Sequence, residues 1–338
     1  MLFFIVKLID YVIIYKVNKG FDMENTDKIN VDNIDDFDKN NVEGFVDRIK
    51  RFENTGNDLM LDGDLPICVR LDGKAFHTYT RGLGRPYDER LSKAMVETMN
   101  FVFEKTDAKI GYTQSDEISF VFYKSAANQG TFFKSRVQKL VSVLTSMATA
   151  KFNEIIRDTI DEKVGDLAFF DCRIWNVPTL QEVVDLFSWR LNDAVKNSIS
   201  MAAHSRFSNK ELYKKSSIER VEMLRGVGVI WEDYPDFFKS GTFCSKEKML
   251  VAVPEEMKKF NDAEFVERSF VNNFHLKEIN RDNFIRMLVE KIDCVDNLEF
   301  VRGLGISVVE SEYFLKRKNI EDPVIDSEYF FKKTKKKL

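Results

Sequence analysis

The sequence predicts an α+β domain: a split βαββαβ antiparallel sheet with helices packed on it, followed by a helical C-terminal extension. Two observations lead to this fold class. Short apolar runs have the length and composition of strands, at residues 67–71, 109–114, 118–123 and 167–177. Longer stretches repeat apolar residues at helical spacing, at residues 42–53, 88–103, 131–157 and 179–207. In chain order the central elements are arranged β-α-β-β-α-β-α, which is the order of a split βαβ sheet.

Composition limits the size of the protein and its partners. The 338 residues allow one or two domains, and 44% hydrophobic residues with 30 Phe are enough for a large core. Residues 1–64 hold 14 acidic and 8 basic side chains, so the rest of the chain, within a net charge of −4, is slightly basic. A nucleic-acid partner would therefore need a local basic patch.

The four cysteines predict core thiols in a reducing compartment. Cys68, Cys172, Cys244 and Cys294 lie far apart and show no paired spacing, and none of the three histidines is spaced for a zinc finger. We expect a cytoplasmic protein, with the mitochondrion as the alternative compartment.

Three regions differ in composition. Residues 1–41 form an N-terminal extension that is partly disordered, because its Asn- and Asp-rich part cannot bury a core. Residues 1–22 are apolar but interrupted by charges, which argues against a membrane span and suggests Met23 as the true start. Residues 42–250 form the central domain, and residues 251–338 form a mixed, mostly helical region with a basic tail.

Local signals place the element boundaries. Asp88 and Thr179 each stand where a helix cap is expected, and Pro178 ends the strand before the second of these helices. Beyond the central elements we expect a helix at 217–225, a strand pair around 228–232 and 241–252, and helical pieces within 255–318.

Three acidic residues suggest a metal site. Asp72 ends the first strand, and Asp116 and Glu117 form the bend between the next two. Pairing of these strands would bring the carboxylates together, and because close carboxylates repel, a cation between them is expected. We interpret the cluster as a two-metal nucleotidyl-transfer site with two Mg²⁺ ions. The alternative is an ordinary turn after Asp72 and a solvated bend at Ser115, Asp116 and Glu117.

Neighbouring residues supply candidate nucleotide contacts. The backbone N–H groups from Gly73 to His77 (Gly73, Lys74, Ala75, Phe76 and His77) could hold phosphates, and Phe76 or His77 could lie against a base or ribose. Arg136 and Lys139 project from one helix face and suit a polyphosphate. RNA contacts are expected from cations interleaved with Phe207 and Tyr213, namely Arg206, Lys210, Lys214, Lys215, Arg220 and Arg225.

In chain order, VRLDGKAFH, RPYDERL, YTQSDEISFVF, FFKSRVQK, FFDCRIW and WRLNDAVKNSIS resemble the tRNA-His guanylyltransferase family over roughly residues 45–245. The resemblance implies a palm like that of polymerases and nucleotide cyclases. It also implies addition of nucleotides to the 5′ end of tRNA in the 3′–5′ direction. In this reaction the 5′ phosphate is activated with a nucleoside triphosphate, and the 3′-hydroxyl of an incoming GTP then attacks.

Residue by residue, the resemblance implies that Asp72 and Asp116 bind metal together with the carbonyl of Gly73, with Glu117 as the acidic neighbour. It implies that residues 72–77, Ser115 and Asp116 bind GTP, and that Arg136 and Lys139 bind a triphosphate. Arg85, Asn197, Lys210 and Lys239 are further candidates for contacts with RNA or triphosphate.

Two segments differ from the family's pattern. VKNSISM at 195–201 stands where eukaryotic members have HINNLYN, and Arg85-Pro86-Tyr87-Asp88 stands for KPND. This pattern is more similar to the guanylyltransferase-like branch, which repairs truncated tRNA 5′ ends. We expect GTP and ATP as substrates, tRNA as partner and a homotetramer, with neither DNA nor a membrane as partner. A palm-type nucleotide cyclase and a non-catalytic RNA-binding protein are the alternative functions.

Overall fold

The computed structural model describes residues 44–56, 59–126, 129–252 and 265–290, and the chain separates into two compact units after Gly56. In the first unit the structure describes one helix, α1 (Phe45–Asn54), close to the predicted 42–53. The predicted extension at 1–41 and the basic tail lie outside the described residues. Within the described ranges, no helix has both the length and the apolarity that crossing a membrane requires.

The second unit is built on one six-stranded sheet in which every neighbouring pair is antiparallel. The strands are β1 (Ile67–Gly73), β2 (Ile110–Gln114), β3 (Glu117–Phe122), β4 (Phe170–Asn176), β5 (Thr242–Ala252) and β6 (Phe265–Phe274). Their order across the sheet is β4-β1-β3-β2-β5-β6. The α+β class and the four central strands are therefore confirmed.

Helices cover both faces of this sheet. They are α2 (Phe76–Tyr79), α3 (Glu89–Glu104), α4 (Val137–Thr159), α5 (Leu180–His204), α6 (Ser217–Gly226), α7 (Asp236–Lys239) and α8 (Arg281–Val289). As predicted, the Asp88 side chain accepts the Arg90 N–H at the start of α3, and the Thr179 hydroxyl accepts the Glu182 N–H at the start of α5.

Side-chain alternation along β1 separates two cores. Val69 and Leu71 pack with α3 and α4 on one face, whereas Cys68 packs with α5 and α8 on the other. Because alternate residues share a face, Arg70 and Asp72 lie on the α5 side of the sheet. A third, smaller core joins the end of α5 to α6 and α7.

The C-terminal part of the unit differs from the prediction. The strand expected at 241–252 is present as β5, but its partner is β6, which lies within the region expected to be mixed and mostly helical, whereas α8 is one of the helical pieces expected there. Short runs such as FVERSFVNNF fit both periods, and only pairing with β5 decides for a strand. The strand expected at 228–232 is also wrong. Gly228 turns the chain after α6, and Trp231–Asp233 is a 3-10 turn against the third core.

Candidate active site

The ends of β1 and of the β2–β3 hairpin meet at one edge of the sheet. Asp72 lies directly opposite Glu117, and the Gly73 N–H donates to the Asp116 carbonyl at 3.0 Å. Ser115 has a positive φ of 56°, which lets a two-residue turn carry Asp116. The pairing expected from the sequence is therefore present, and it brings the three carboxylates to one edge.

The carboxylates form part of a longer row across the sheet. Asp171 on β4 is the partner of Asp72 on its other side, so Asp171, Asp72 and Glu117 stand on three adjacent strands. Two residues before Asp72 on β1, Arg70 pairs with Arg173 of β4. Arg173 Nη2 lies 3.7 Å from Asp72 Oδ2, so an acidic row is backed by a basic row.

Asp116 is half-buried. Burial, and to a lesser degree the negative charge of Asp72, raise the pKa of its carboxyl, whereas hydrogen bonds from a backbone N–H and the Ser115 hydroxyl lower it, and the net shift is upward. Two neighbouring carboxylates in this setting favour a cation between them. The carboxylates of Asp72 and Asp116, with the Gly73 carbonyl, offer the hard oxygens that Mg²⁺ prefers. Nowhere in the described ranges do three or more His, Cys, Asp or Glu side chains form a set able to hold a metal ion. The donor set therefore suits Mg²⁺ that keeps water and phosphate oxygens as its other ligands.

Glu117 is held by arginines. Its carboxylate forms an ion pair with Arg190 of α5, and Arg70 Nη1 lies 3.9 Å away. The Arg190 side chain is only 7% exposed, and burial, together with the neighbouring charge of Arg70, lowers its pKa. Glu117 therefore turns towards α5 and serves as the counter-ion of a buried guanidinium.

The segment after β1 is tightly folded. The Lys74 N–H donates to the Phe169 carbonyl at 2.8 Å, so the N–H groups of Gly73 and Lys74 are both already paired. Ala75 has a φ of 56° and leads into α2, where the Phe76 ring is buried. Contrary to one of the two expected arrangements, this ring cannot face a base. The exposed side chain in this segment that remains available for that contact is His77.

Arg136 and Lys139 lie at the other end of the sheet. Arg136 directly precedes α4 and Lys139 lies in its first turn. In the turn just before them, Phe132 stacks on Phe122 with ring centroids 5.8 Å apart, and Phe122 pairs with Ile67 at the start of β1. Five residues of strand separate Ile67 from Asp72, about 16 Å at 3.3 Å per residue. Arg136, Gln138, Lys139 and Ser142 line an open depression of their own. The structure does not bring these cations to the carboxylate edge of the same chain.

The remaining candidates differ in availability. Arg85 and Lys210 are exposed. Asn197 is exposed on α5 and donates to Asp193 at 3.2 Å. Lys239, in contrast, donates to the Glu232 carbonyl at 2.6 Å and lies 3.4 Å from Asp236. Lys239 is therefore already engaged within its own loop.

Sequence reasoning missed four charged residues at this edge, namely Arg70, Asp171, Arg173 and Arg190. Three of them were readable in principle from the antiparallel register, because Arg70 stands two residues from Asp72, Asp171 stands opposite Asp72, and Arg173 stands opposite Arg70. Arg190 had no such signal, since its place depends on how α5 docks.

Known proteins similar to this chain share this fold. The family model described as tRNAHis guanylyltransferase matches residues 46–178. The tRNA(His) guanylyltransferase of Saccharomyces cerevisiae is 29% identical over 210 residues, covering 56% of this chain and 87% of the yeast protein.

Solved structures of bacterial proteins give a closer match. A bacterial tRNA(His) guanylyltransferase (Thg1)-like protein in complex with ATP is 35% identical, with a TM-score of 0.59, and covers 73% of this chain and 97% of its own. A GTP complex of such a protein is 33% identical, with a TM-score of 0.53, covering 73% and 99%. The chain belongs to the tRNA(His) guanylyltransferase family of nucleotidyltransferases.

Proposed function

We propose that the protein is a Mg²⁺-dependent nucleotidyltransferase that adds guanylate, or templated nucleotides, to the 5′ end of tRNA in the 3′–5′ direction. The observation that carries this is the meeting of Asp72, Gly73 and Asp116 at one sheet edge in a member of this family. The sheet and its helices are compatible with a polymerase-type palm. The similar bacterial structures hold ATP and GTP, the two nucleotides that the reaction needs.

Each group at the edge has a physical task. Asp72 and Asp116 would hold two Mg²⁺ ions with the Gly73 carbonyl, and the ions supply positive charge against the phosphates. The half-buried setting of Asp116 strengthens its attraction for a cation, because burial leaves the charge less well solvated. Exposed Lys74 and His77 follow directly and would contact the nucleotide.

The test is an extension assay. The protein is incubated with 5′-monophosphorylated tRNA-His, or with 5′-truncated tRNAs, together with ATP, GTP and Mg²⁺. We expect a longer 5′ end, and we expect Asp72→Ala and Asp116→Ala each to lower the rate by at least a hundredfold. Asp185→Ala is the matched control, because Asp185 is a surface residue of α5 paired with Arg281. Absence of extension on every tRNA would refute the proposal, and a cyclic nucleotide formed without RNA would favour a cyclase.

The separation of Arg136 and Lys139 from the edge bears on assembly. We propose that the protein is a homotetramer in which these cations contact the triphosphate bound to a neighbouring copy. Mixing inactive Asp116→Ala with inactive Arg136→Ala/Lys139→Ala, after joint unfolding and refolding, should then restore activity. A mixture that stays inactive means that both sets act within one chain.

RNA contacts are proposed for Arg85, Lys210 and Asn197. Lys210 precedes Tyr213, whose side chain is 72% exposed, and an exposed ring beside cations suits stacked bases. A phosphate contact contributes to the salt dependence of binding, so Lys210→Ala should lower the slope of log K against log salt by about one. Lys93→Ala is the control, since Lys93 is an exposed lysine on α3. An unchanged slope would remove Lys210 from the RNA interface.

A further inference from the structure

A line of polar contacts leads from the carboxylate edge along one side of α5. Glu117 pairs with Arg190, Arg190 Nη1 lies 3.5 Å from Asp193 Oδ2, and Asp193 Oδ2 accepts from Asn197 Nδ2 at 3.2 Å. The helical members are three and four residues apart, so they stand above one another on one face. This line joins the proposed metal edge to the 195–201 segment of α5.

The first contact of this line, between Glu117 and Arg190, carries a large desolvation cost. Arg190 is almost fully buried beside a second guanidinium, that of Arg70. Their Nε atoms are both buried without a hydrogen-bond partner in the part of the chain that the structure describes. A buried ion pair of this kind is often no more stabilising than apolar side chains of similar size. Stability alone therefore does not explain why arginine stands at position 190.

The geometry around Glu117 gives a reason. Glu117 follows Asp116 directly and stands opposite Asp72, so an unrestrained Glu117 carboxylate would add a third negative charge to the pair that would hold the ions. Arg190 and Arg70 instead neutralise and restrain this carboxylate on the α5 side, the face that it shares with Asp72. Because Glu117 begins β3, restraining it also fixes the turn that carries Asp116.

We propose that Arg190 is a positioning residue that acts through Glu117: it neutralises and restrains the Glu117 carboxylate beside Asp72 and Asp116 and fixes the turn that presents Asp116 to the metal. This inference rests on the proposed function for the identity of the ligand, Mg²⁺ with GTP. The planar Arg190 guanidinium faces Glu117 through Nη2 and Asp193 through Nη1, and the single ammonium of a lysine does not reproduce these two directed contacts.

The test is a double-mutant cycle with Glu117→Gln, Arg190→Gln, the double variant and Arg190→Lys. The affinity for a fluorescent GTP analogue is measured as Mg²⁺ is varied. We expect Arg190→Gln and Arg190→Lys each to weaken Mg²⁺-dependent binding about tenfold. In the Glu117→Gln background, Arg190→Gln should weaken it by less than a further twofold, because residues that act through one another are not additive.

Arg281→Gln is the matched control, since Arg281 also pairs with an aspartate of α5, Asp185, but at the surface. It should bind as the wild type does. Wild-type affinity in Arg190→Lys would overturn the proposal, because the positive charge alone would then suffice. The proposal would also be overturned if the affinity losses of Glu117→Gln and Arg190→Gln multiplied in the double variant, or if Arg190→Gln bound Mg²⁺ more tightly than the wild type.

Two further measurements keep the test decisive. If both Arg190 variants fail to fold, Asp193→Asn replaces them, and it should weaken Mg²⁺-dependent binding about threefold, whereas wild-type affinity would overturn the proposal. The melting temperatures without ligand give a second coupling between positions 117 and 190, independent of nucleotide. Failure of the wild-type protein to bind Mg²⁺ and GTP refutes the proposed function, whereas absence of coupling in the melting temperatures refutes the role of Arg190.

Discussion

Gly73→Ala offers a strict test of the edge geometry. A Cβ atom at residue 73 would lie 2.3, 2.5 and 2.7 Å from three ring carbons of Phe76, distances that unstrained atoms do not reach. The ring has little room to move, because it packs against Tyr79, Phe152 and Phe170 with centroids 5.1, 5.5 and 5.3 Å away. The backbone of residue 73 must therefore shift, and its carbonyl with it.

The size of the effect follows from this crowding. Forcing extra atoms into a packed core costs about 1–3 kcal/mol. In a unit of this size each kcal/mol lowers the melting temperature by about 2–4 °C. Gly73→Ala should thus melt about 3–10 °C lower, measured by differential scanning fluorimetry. Because the carbonyl of Gly73 moves away from the proposed ions, Mg²⁺-dependent GTP affinity should also fall about tenfold.

Gly111→Ala is the matched control. Its Cβ would lie 2.6 Å from the Cys244 sulfur and 3.1 Å from the Phe120 ring, inside the sheet and three residues from the end of β2. We expect a similar loss of melting temperature with unchanged GTP affinity per folded molecule. The reasoning fails if Gly73→Ala melts as the wild type does, or if both variants lose GTP affinity equally.

Three further predictions follow from charge, burial and capping. Because burial raises the pKa of Asp116, the folded Mg²⁺-free protein binds the carboxyl proton of Asp116 more tightly than the unfolded chain does, so the stability of the protein falls as pH rises above the ordinary carboxyl range. Asp116→Asn should remove this pH dependence in chemical denaturation and stabilise the protein by about 1 kcal/mol at neutral pH. Burial raises the pKa of the Cys68 thiol to about 12, so iodoacetamide at pH 8 should label it only after unfolding, and labelling of the native protein, detected by mass spectrometry, would contradict this. Ser216 and Glu219 form a capping box at the start of α6, so Ser216→Ala should cost about 1 kcal/mol in urea unfolding, and no change would mean that α6 is held by packing alone.

The central sheet was predictable because each strand has a local signal. The mainly apolar runs stand between Pro66 and Asp72 and between Glu117 and Lys124, and the structure places strands at Ile67–Gly73 and Glu117–Phe122. The pairing of Asp72 with Glu117 then follows from antiparallel register. The position of Arg136 and Lys139 did not follow. Their helix starts after three successive residues with positive φ (Phe133, Lys134 and Ser135), and no hydrophobic period signals such a turn.

The arginines around the carboxylates show where local reasoning ends. Arg70 and Arg173 could be read from the strand register, because an antiparallel pair puts opposite residues on one face. Arg190 stands in a helix whose apolar stripe predicts only that one face is buried. Its contact with Glu117 depends on the position of α5 along the sheet, which is set by the packing of Leu180, Val184 and Phe187 in the second core. The ion pair is thus a product of tertiary packing.

This dependence gives α5 a double role at the edge. Its apolar side fixes the helix on the sheet, and its polar side carries Arg190, Asp193 and Asn197 in one line. A change that shifts α5 by a fraction of a turn would move Arg190 away from Glu117 and Asn197 away from its place at the surface at the same time. The proposed metal binding and the proposed RNA contact of Asn197 would then change together, because one helix positions both Arg190 and Asn197. To change the proposed RNA contact without changing metal binding, substitutions would have to be confined to 195–201, because these leave the contact between Arg190 and Glu117 intact.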